Sequence, residues 1–468
     1  MSKQGKIIIE GLYSTLEVDN LPQALEEQLQ DECVWVNPLN LTDYIEFYKE
    51  GEMYTGCIYK VKKYLEDCGY TIELVYPVLK KVLNSKFLGT YRPLQESMVD
   101  AVLEHRFGLM EAPPRSGKTV CMAAALAIIG LPGLIIVEDT APYEQAVRTL
   151  RELTNMTVGE VKTKNYTLGE VNVVTRQTWM AAIKRGDKEL LKILEASQVV
   201  FIDEAHNSQG PSYFEILSSM TNIKYLVGWS GTPYTDNDKE EYVFNLVGPV
   251  IGRITATEAI DNGLVLPVDI HFESIPKKDY GYTGHNAPKL SAYKRGLAYT
   301  KVKTDYILQN QIRADILVQV INEAQAEGLS VGVVIEQLEH GYMMADKVPG
   351  SVVIHGQLPR KEREALFTKL KNKEITCAFS TLIDEATDIP TLGCVILAGG
   401  GKNKKSLFQR ALRSSTAAPG KTRGFIVIPY DQADFLNSHS KTTYEHMKDY
   451  ARKHPLNRLY MDGKLIKT

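Results

Sequence analysis

Three short segments carry side chains that together could bind and cleave a triphosphate. The first is Glu111-Ala112-Pro113-Pro114-Arg115-Ser116-Gly117-Lys118-Thr119, set between the apolar run Phe107-Gly108-Leu109-Met110 and a helical stretch at residues 120–129. A loop between a strand and a helix turns backbone N–H groups and a helix N-terminus toward phosphate. Pro114, Arg115, Ser116 and Gly117 would form the cradle; Lys118 can reach the outer phosphates and Thr119 can ligate Mg2+. In the second segment, apolar Val199-Val200-Phe201-Ile202 runs straight into Asp203-Glu204-Ala205-His206. An acid at the end of a buried strand can hold Mg2+, directly or through water, and the next carboxylate can orient and deprotonate an attacking water. The third is Gly228-Trp229-Ser230-Gly231-Thr232-Pro233, again after an apolar run. Hydroxyls of Ser230 and Thr232 there can hydrogen-bond the acidic box, His206 included, and transmit the state of the nucleotide.

Such loops need buried strands to hold them. Leu134–Val137, Val171–Val174, Val199–Ile202 and Tyr225–Gly228 are short and nearly continuous in apolar residues, as parallel strands covered on both faces must be. A second series follows at residues 331–335, 352–354, 376–379, 395–397 and 424–428, with helical stretches between, for example residues 359–371. This pattern predicts an α/β chain with two doubly wound parallel-sheet domains in tandem. The first 88 residues read as a small α/β module. It has a strand at residues 6–11, a polar helix near 22–30, a strand at 33–36, an amphipathic helix at 61–68 and a strand at 70–76. The expected domains are therefore residues 1–88, with either a DNA-binding or a bracing role, 89–275, a linker at 276–300, and 301–468 ending in a helical tail near 444–458.

The length of 468 residues suits about three domains. No apolar run reaches the ~18–20 residues of a membrane span, and the N-terminus lacks the core of a signal peptide, so a cytoplasmic protein is expected. Cys33, Cys57, Cys68, Cys121, Cys377 and Cys394 are scattered singly. That argues against a zinc site or a disulfide framework and for small buried hydrophobes. The net charge is only −3, but it is uneven: Glu26, Glu27, Asp31 and Glu32 crowd the start, while Lys404, Lys405, Arg410, Arg413, Lys421 and Arg423 make the stretch after residue 402 basic. Local basic faces carry sequence-independent affinity for phosphate backbones. In the first module the one basic–aromatic interleave is Tyr54, Tyr59, Lys60, Lys62 and Lys63, which a solvated helix face also explains. Trp35 and Trp179 read as core.

In order and spacing, these segments resemble a superfamily 2 helicase of the Asp-Glu-Ala-His class, over roughly residues 91–430. The resemblance implies tandem RecA-like domains, ATP and Mg2+ as cofactors, and further sites. In Tyr91-Arg92-Pro93-Leu94-Gln95, which is similar to the adenine-recognising segment, Arg92 would bind nucleotide and Gln95 would read the base. Thr140-Ala141-Pro142 and Val174-Thr175-Arg176-Gln177 resemble elements that touch the nucleic-acid backbone through Thr140 and Thr175. Ile354-His355-Gly356 resembles a short strand-end element. Ser380–Pro390 resembles motif V, with Thr381 on a strand phosphate and Asp388 coupled to the nucleotide. Gln409-Arg410-Ala411-Leu412-Arg413 resembles motif VI, with Gln409 facing the nucleotide and Arg413 as arginine finger. The chain departs from the family pattern at Ala112, Arg115, Thr387, Leu412 and Thr416. Within the superfamily the chain is similar to the UvsW-type recombination helicases of tailed bacteriophages. That implies a monomer acting on forked or Holliday-junction DNA, alongside phage recombination or replication proteins in the host cytoplasm. An RNA helicase, a translocase subunit of a restriction system and a non-hydrolysing ATP-gated clamp are the alternatives.

Overall fold

The computed structural model describes residues 3–36, 42, 44–162, 165–207, 211–220, 222–231, 240–276, 304–383, 389–399, 404–432 and 434–466. The chain divides into two compact units, Met1–Thr255 and Ala256–Thr468.

In the first unit, eight strands form one sheet in the order Tyr166–Thr167, Val158–Val161, Val171–Thr175, Gly133–Val137, Val199–Asp203, Tyr225–Ser230, Phe107–Glu111, Val250–Arg253. All neighbours are parallel except the Tyr166–Thr167 edge. Val199, Val200, Phe201 and Ile202 are wholly buried, each contributing about 1.5–3 kcal/mol for a fully covered large side chain. The register sets Thr175 beside Val137, Asp203 beside Trp229, and Ser230 beside Glu111. One edge of the sheet thus carries every strand end that the sequence marked as chemical. Lys118–Ile129 is buried on nearly all sides, as an apolar helix inside a core must be. It stops at Gly130, whose φ of 65° suits a left-handed C-terminal cap.

The small N-terminal module is present but does not stand apart. Its five-stranded sheet runs Tyr48–Lys49, Glu52–Tyr54, Tyr13–Val18, Lys3–Ile9, Tyr70–Val75, with helices Gln23–Glu32 and Ile58–Asp67. Its buried side chains join those of the large sheet in one continuous core. Trp35 meets the edge of Tyr242 at 5.0 Å, and Lys60 pairs with Glu241 at 2.7 Å. Tyr54 is buried, Tyr59 bonds Tyr76 and His105, and Lys62 pairs with Glu66. Most of the basic–aromatic interleave is therefore engaged in packing and local ion pairs. Trp179 is fully buried, and of the six free cysteines only Cys68 is partly exposed.

The second unit holds another eight-stranded sheet. Its order is Val352–Ile354, Cys377–Ser380, Ser330–Val334, Leu392–Leu397, Gly424–Asp431, Val268–Ile275, Arg458–Met461, Lys464–Ile466, parallel except for the last hairpin. Two expectations are corrected here. Val268–Ile275, placed in the first domain by its position in the chain, is a strand of the second sheet, hydrogen-bonded to both Gly424–Asp431 and Arg458–Met461. The tail is not helical to residue 458: the helix Asp434–Ala451 gives way to the edge hairpin. The expected linker lies almost wholly outside the described residues.

Arg313, 1% exposed, points its Nε at Asp431 Oδ1 across 2.9 Å, joining the helix Gln311–Ala326 to the end of a central strand. Removing one partner strands a buried charge, at a cost of about 3–5 kcal/mol. Arg313→Ala is expected to destabilise the second unit by that amount in urea unfolding. Pairing it with Asp431→Leu should recover much of the loss; a double variant no more stable than the single would contradict this account of the pair.

Candidate functional site

The phosphate loop is built from the backbone outward. Gly117 sits at φ 89°, and a Cβ there would come within 2.2 Å of Gln95 Nε2, so only glycine fits. The Gln95 amide fixes the loop from behind: Nε2 donates to Ser116 O at 2.9 Å and Oε1 accepts from Arg92 N at 2.9 Å. Arg92 Nη2 donates to Arg115 O at 3.1 Å. The residues expected to read adenine thus hold the loop in this structure. Arg115 adopts φ 74°, a left-handed conformation that costs a side-chain-bearing residue roughly 1–2 kcal/mol. Lys118 Nζ donates to Ala112 O at a long 3.4 Å and has no ion-pair partner among the described residues.

Beside it, Asp203 ends its strand and Glu204 turns away at φ 51°, its N–H donating to Asp203 Oδ1 at 3.0 Å. Burial and the neighbouring Glu204 charge raise the Asp203 carboxyl to about 6, against the opposing pull of Lys118. His206 Nδ1 lies 2.7 Å from Ser230 Oγ and 3.3 Å from Glu204 Oε2, and both His206 and Ser230 are buried. Ser230 also offers its carbonyl to Ala112 N at 2.9 Å. The acidic box, Ser230 and the start of the phosphate loop therefore form one bonded series.

The charges fit a magnesium–triphosphate group. Among the described residues Lys118 has no ion pair, and its charge acts on the neighbouring Asp203 carboxyl. Among the described residues no group of three or more His, Cys, Asp or Glu side chains converges. Mg2+ would therefore take Thr119 and Asp203 with phosphate and water oxygens, as that ion commonly does.

Other expected positions are placed as follows. Thr140 is exposed at the start of helix Thr140–Leu153. The Thr175 hydroxyl caps helix Arg176–Arg185, accepting from Thr178 N at 3.1 Å. In the second unit, Thr381 follows the strand Cys377–Ser380, Gln409 lies on helix Lys404–Ala411, and Arg413 is half-buried in the turn Leu412–Ser415. Thr232 and Asp388 lie outside the described residues. Of the expected basic face, Lys421 donates to the carbonyls of Leu392 (2.7 Å), Thr416 (3.0 Å) and Pro390 (3.3 Å), and Arg423 pairs with Asp269 at 2.7 Å. These two cations bind the unit's own backbone and an acid. Sequence reasoning missed Glu138 and Tyr213, which surround Arg176 at the same sheet edge; no short motif links residues so far apart.

A carboxyl titrating near 6 in the folded state and near 3.8 in the unfolded chain favours folding most when protonated. Its penalty grows as pH rises between those values and is complete above them. Asp203→Asn, free of metal and nucleotide, is expected to gain on the order of 2 kcal/mol at pH 7–8, with the gain shrinking toward pH 4. Urea unfolding across that range checks it; a variant less stable than the parent at pH 8 would contradict it.

Two family models match the chain: type III restriction enzyme, res subunit, over residues 89–235, and helicase conserved C-terminal domain over residues 313–416. A Rad25-type DNA 3'-5' helicase of Haloarcula marismortui is 27% identical over 336 residues, covering 70% of this chain and 50% of the relative. The DNA 3'-5' translocase XPB2 of Sulfurisphaera tokodaii is 21% identical over 405 residues, covering 78% of this chain and 88% of the relative. Among solved structures, S. cerevisiae Dbp5 bound to RNA and ADP BeF3 superposes with a TM-score of 0.54 at 12% identity, covering 79% of this chain and 89% of that one. That likeness speaks to the fold. The chain spans about half the length of the archaeal Rad25-type relatives it matches. No described helix is long and apolar enough to cross a membrane. Phosphate loop, acidic box and two parallel-sheet units, matched in this order, are the paired RecA-like domains of the superfamily 2 helicases.

Proposed function

We propose that the chain is an ATP-driven DNA translocase of the helicase type, acting on forked and Holliday-junction DNA. The observation that carries the reading is the bonded series from the Ala112 loop through Ser230 and His206 to Glu204, on the sheet edge that also ends in Thr175. The DNA helicases and translocases named among its relatives support DNA as substrate. The sequence resemblance to phage recombination helicases supports branched DNA in particular.

Bound Mg·ATP supplies a phosphoanhydride whose cleavage releases free energy. Lys118 and the loop N–H groups hold its phosphates, with Arg115 adding a cation at the mouth of the cradle. Thr119 and Asp203 would hold the Mg2+, which would neutralise phosphate charge, and Glu204 would orient and deprotonate the attacking water. The His206 Nδ1 contacts with Glu204 and Ser230 give the acidic box a route to the neighbouring strand. From the second unit, Gln409 and Arg413 meet the phosphates, and an arginine so placed is worth about 10³–10⁵ in rate. Asp388 and Thr232 would complete the coupling, while Thr140, Thr175 and Thr381 contact the strand backbone. Alternation of the two units' grip on that backbone, timed by hydrolysis, constitutes translocation. The N-terminal module braces the motor, a role supported by its shared core and by the Trp35–Tyr242 and Lys60–Glu241 contacts.

The test compares ATP hydrolysis and unwinding on forked, Holliday-junction, linear duplex and single-stranded DNA, with RNA as control. Branched DNA should stimulate most, and Lys118→Ala should abolish hydrolysis while DNA binding persists. Stimulation by RNA above DNA would overturn the substrate class, equal rates on all DNAs the branched preference, and an active Lys118→Ala protein the phosphate loop itself.

A further inference from the structure

Where the strands Gly133–Val137 and Val171–Thr175 end, the next residues on each are Glu138 and Arg176. Arg176 Nε lies 3.1 Å from each Glu138 oxygen, and Nη1 reaches Ser212 Oγ at 3.4 Å. Tyr213, wholly buried, donates its hydroxyl to Glu138 Oε1 at 2.7 Å. Burial and the Glu138 charge push the Tyr213 phenol well above its usual range, so it stays a donor. Nε meets the Glu138 carboxylate and Nη1 the Ser212 hydroxyl, no hydrogen bond reaches Nη2 among the described residues, and the Arg176 side chain is 30% exposed. An arginine anchored by a carboxylate at a partly exposed position, with donor capacity left over, is prepared to grip an oxyanion. Both neighbours on this edge, Thr140 and Thr175, are short hydroxyl side chains, and the Thr175 hydroxyl already caps its own helix. Of the described residues that follow these two strand ends, Arg176 is the one that carries a cation.

We infer that Arg176 is a phosphate ligand for the DNA strand, with Glu138 as its positioning residue. Tyr213 joins this pair to the helix Pro211–Ser218, which follows the acidic box in the chain. Strand occupancy at Arg176 is thereby bonded to the segment just beyond Glu204 and His206. This rests on the motor reading above and adds a residue to its strand-binding edge.

The test measures binding of the full chain to a fluorescein-labelled DNA fork without nucleotide, across a salt series. Each lost phosphate contact lowers the slope of log affinity against log salt by about one. Arg176→Gln should show that drop. Arg176→Lys should keep the slope, because the cation remains. Glu138→Gln should bind several-fold more weakly at unchanged slope, because the guanidinium is present but no longer oriented. Thermal melts identify folded variants; if Arg176→Gln does not fold, the Glu138→Gln and Arg176→Lys pair carries the decision. An Arg176→Gln slope equal to the parent's, or Glu138→Gln affinity equal to the parent's, overturns the assignment. A parent chain that binds no fork at any salt overturns the motor reading instead.

Discussion

The first unit is organised around a carboxyl group that its own fold disfavours. Asp203 is half-buried at a strand end beside a second acid, and the Lys118 charge and the Glu204 N–H only partly offset the cost. A protein selected for stability alone would place a neutral residue there. The arrangement becomes favourable once a divalent cation and a polyphosphate occupy the site, so binding energy and structural penalty are coupled at one point. The parallel sheet makes this coupling usable. Its register puts the phosphate loop, Ser230, the acidic box and the Glu138–Arg176 strand ends side by side on one rim, in that order.

Similar tension appears in the loop itself. Arg115 holds a left-handed conformation that glycine would adopt freely, and its carbonyl is pinned by Arg92. A charged side chain kept at a strained position suits a site that binds anions, where an extra cation compensates for backbone strain. In the second unit, Lys421 gathers the carbonyls of Pro390, Leu392 and Thr416. It thereby ties the end of the Ser380–Pro390 segment and the strand after it to Thr416, just beyond the turn bearing Arg413, where the sequence shows only a basic stretch, open to phosphate or to solvent.

The central strands were legible because burial on both faces demands unbroken apolar runs; Val199–Asp203 and Ser330–Val334 announce themselves. Strands without that demand did not. Val158–Val161 contains Gly159 and Glu160, Val250–Arg253 is interrupted by a register shift, and Tyr48–Lys49 with Glu52–Tyr54 is a short hairpin at an edge. Val268–Ile275 was misplaced for a different reason: the second unit begins at Ala256, and its first strand inserts between the unit's last strands, Gly424–Asp431 and Arg458–Met461, a pairing that no local pattern announces. The phosphate loop and acidic box were legible as contiguous motifs. The Glu138–Arg176–Tyr213 cluster was not, because it exists only after three separate segments converge. Gln95 was read as a base reader, yet its amide also determines the shape of the loop, a role visible only from its two hydrogen bonds.

The central proposal, carried by the motif VI resemblance, is that the triphosphate bound at Lys118 also meets Arg413, so that hydrolysis alters the coupling of the two units. The most direct measurement places one fluorophore on each unit and follows energy transfer in the presence of forked DNA. A non-hydrolysable ATP analogue should shift the transfer efficiency, ADP should return it, and Arg413→Ala should abolish the shift while the analogue still binds. Transfer that is the same with analogue, with ADP and without nucleotide would contradict the account.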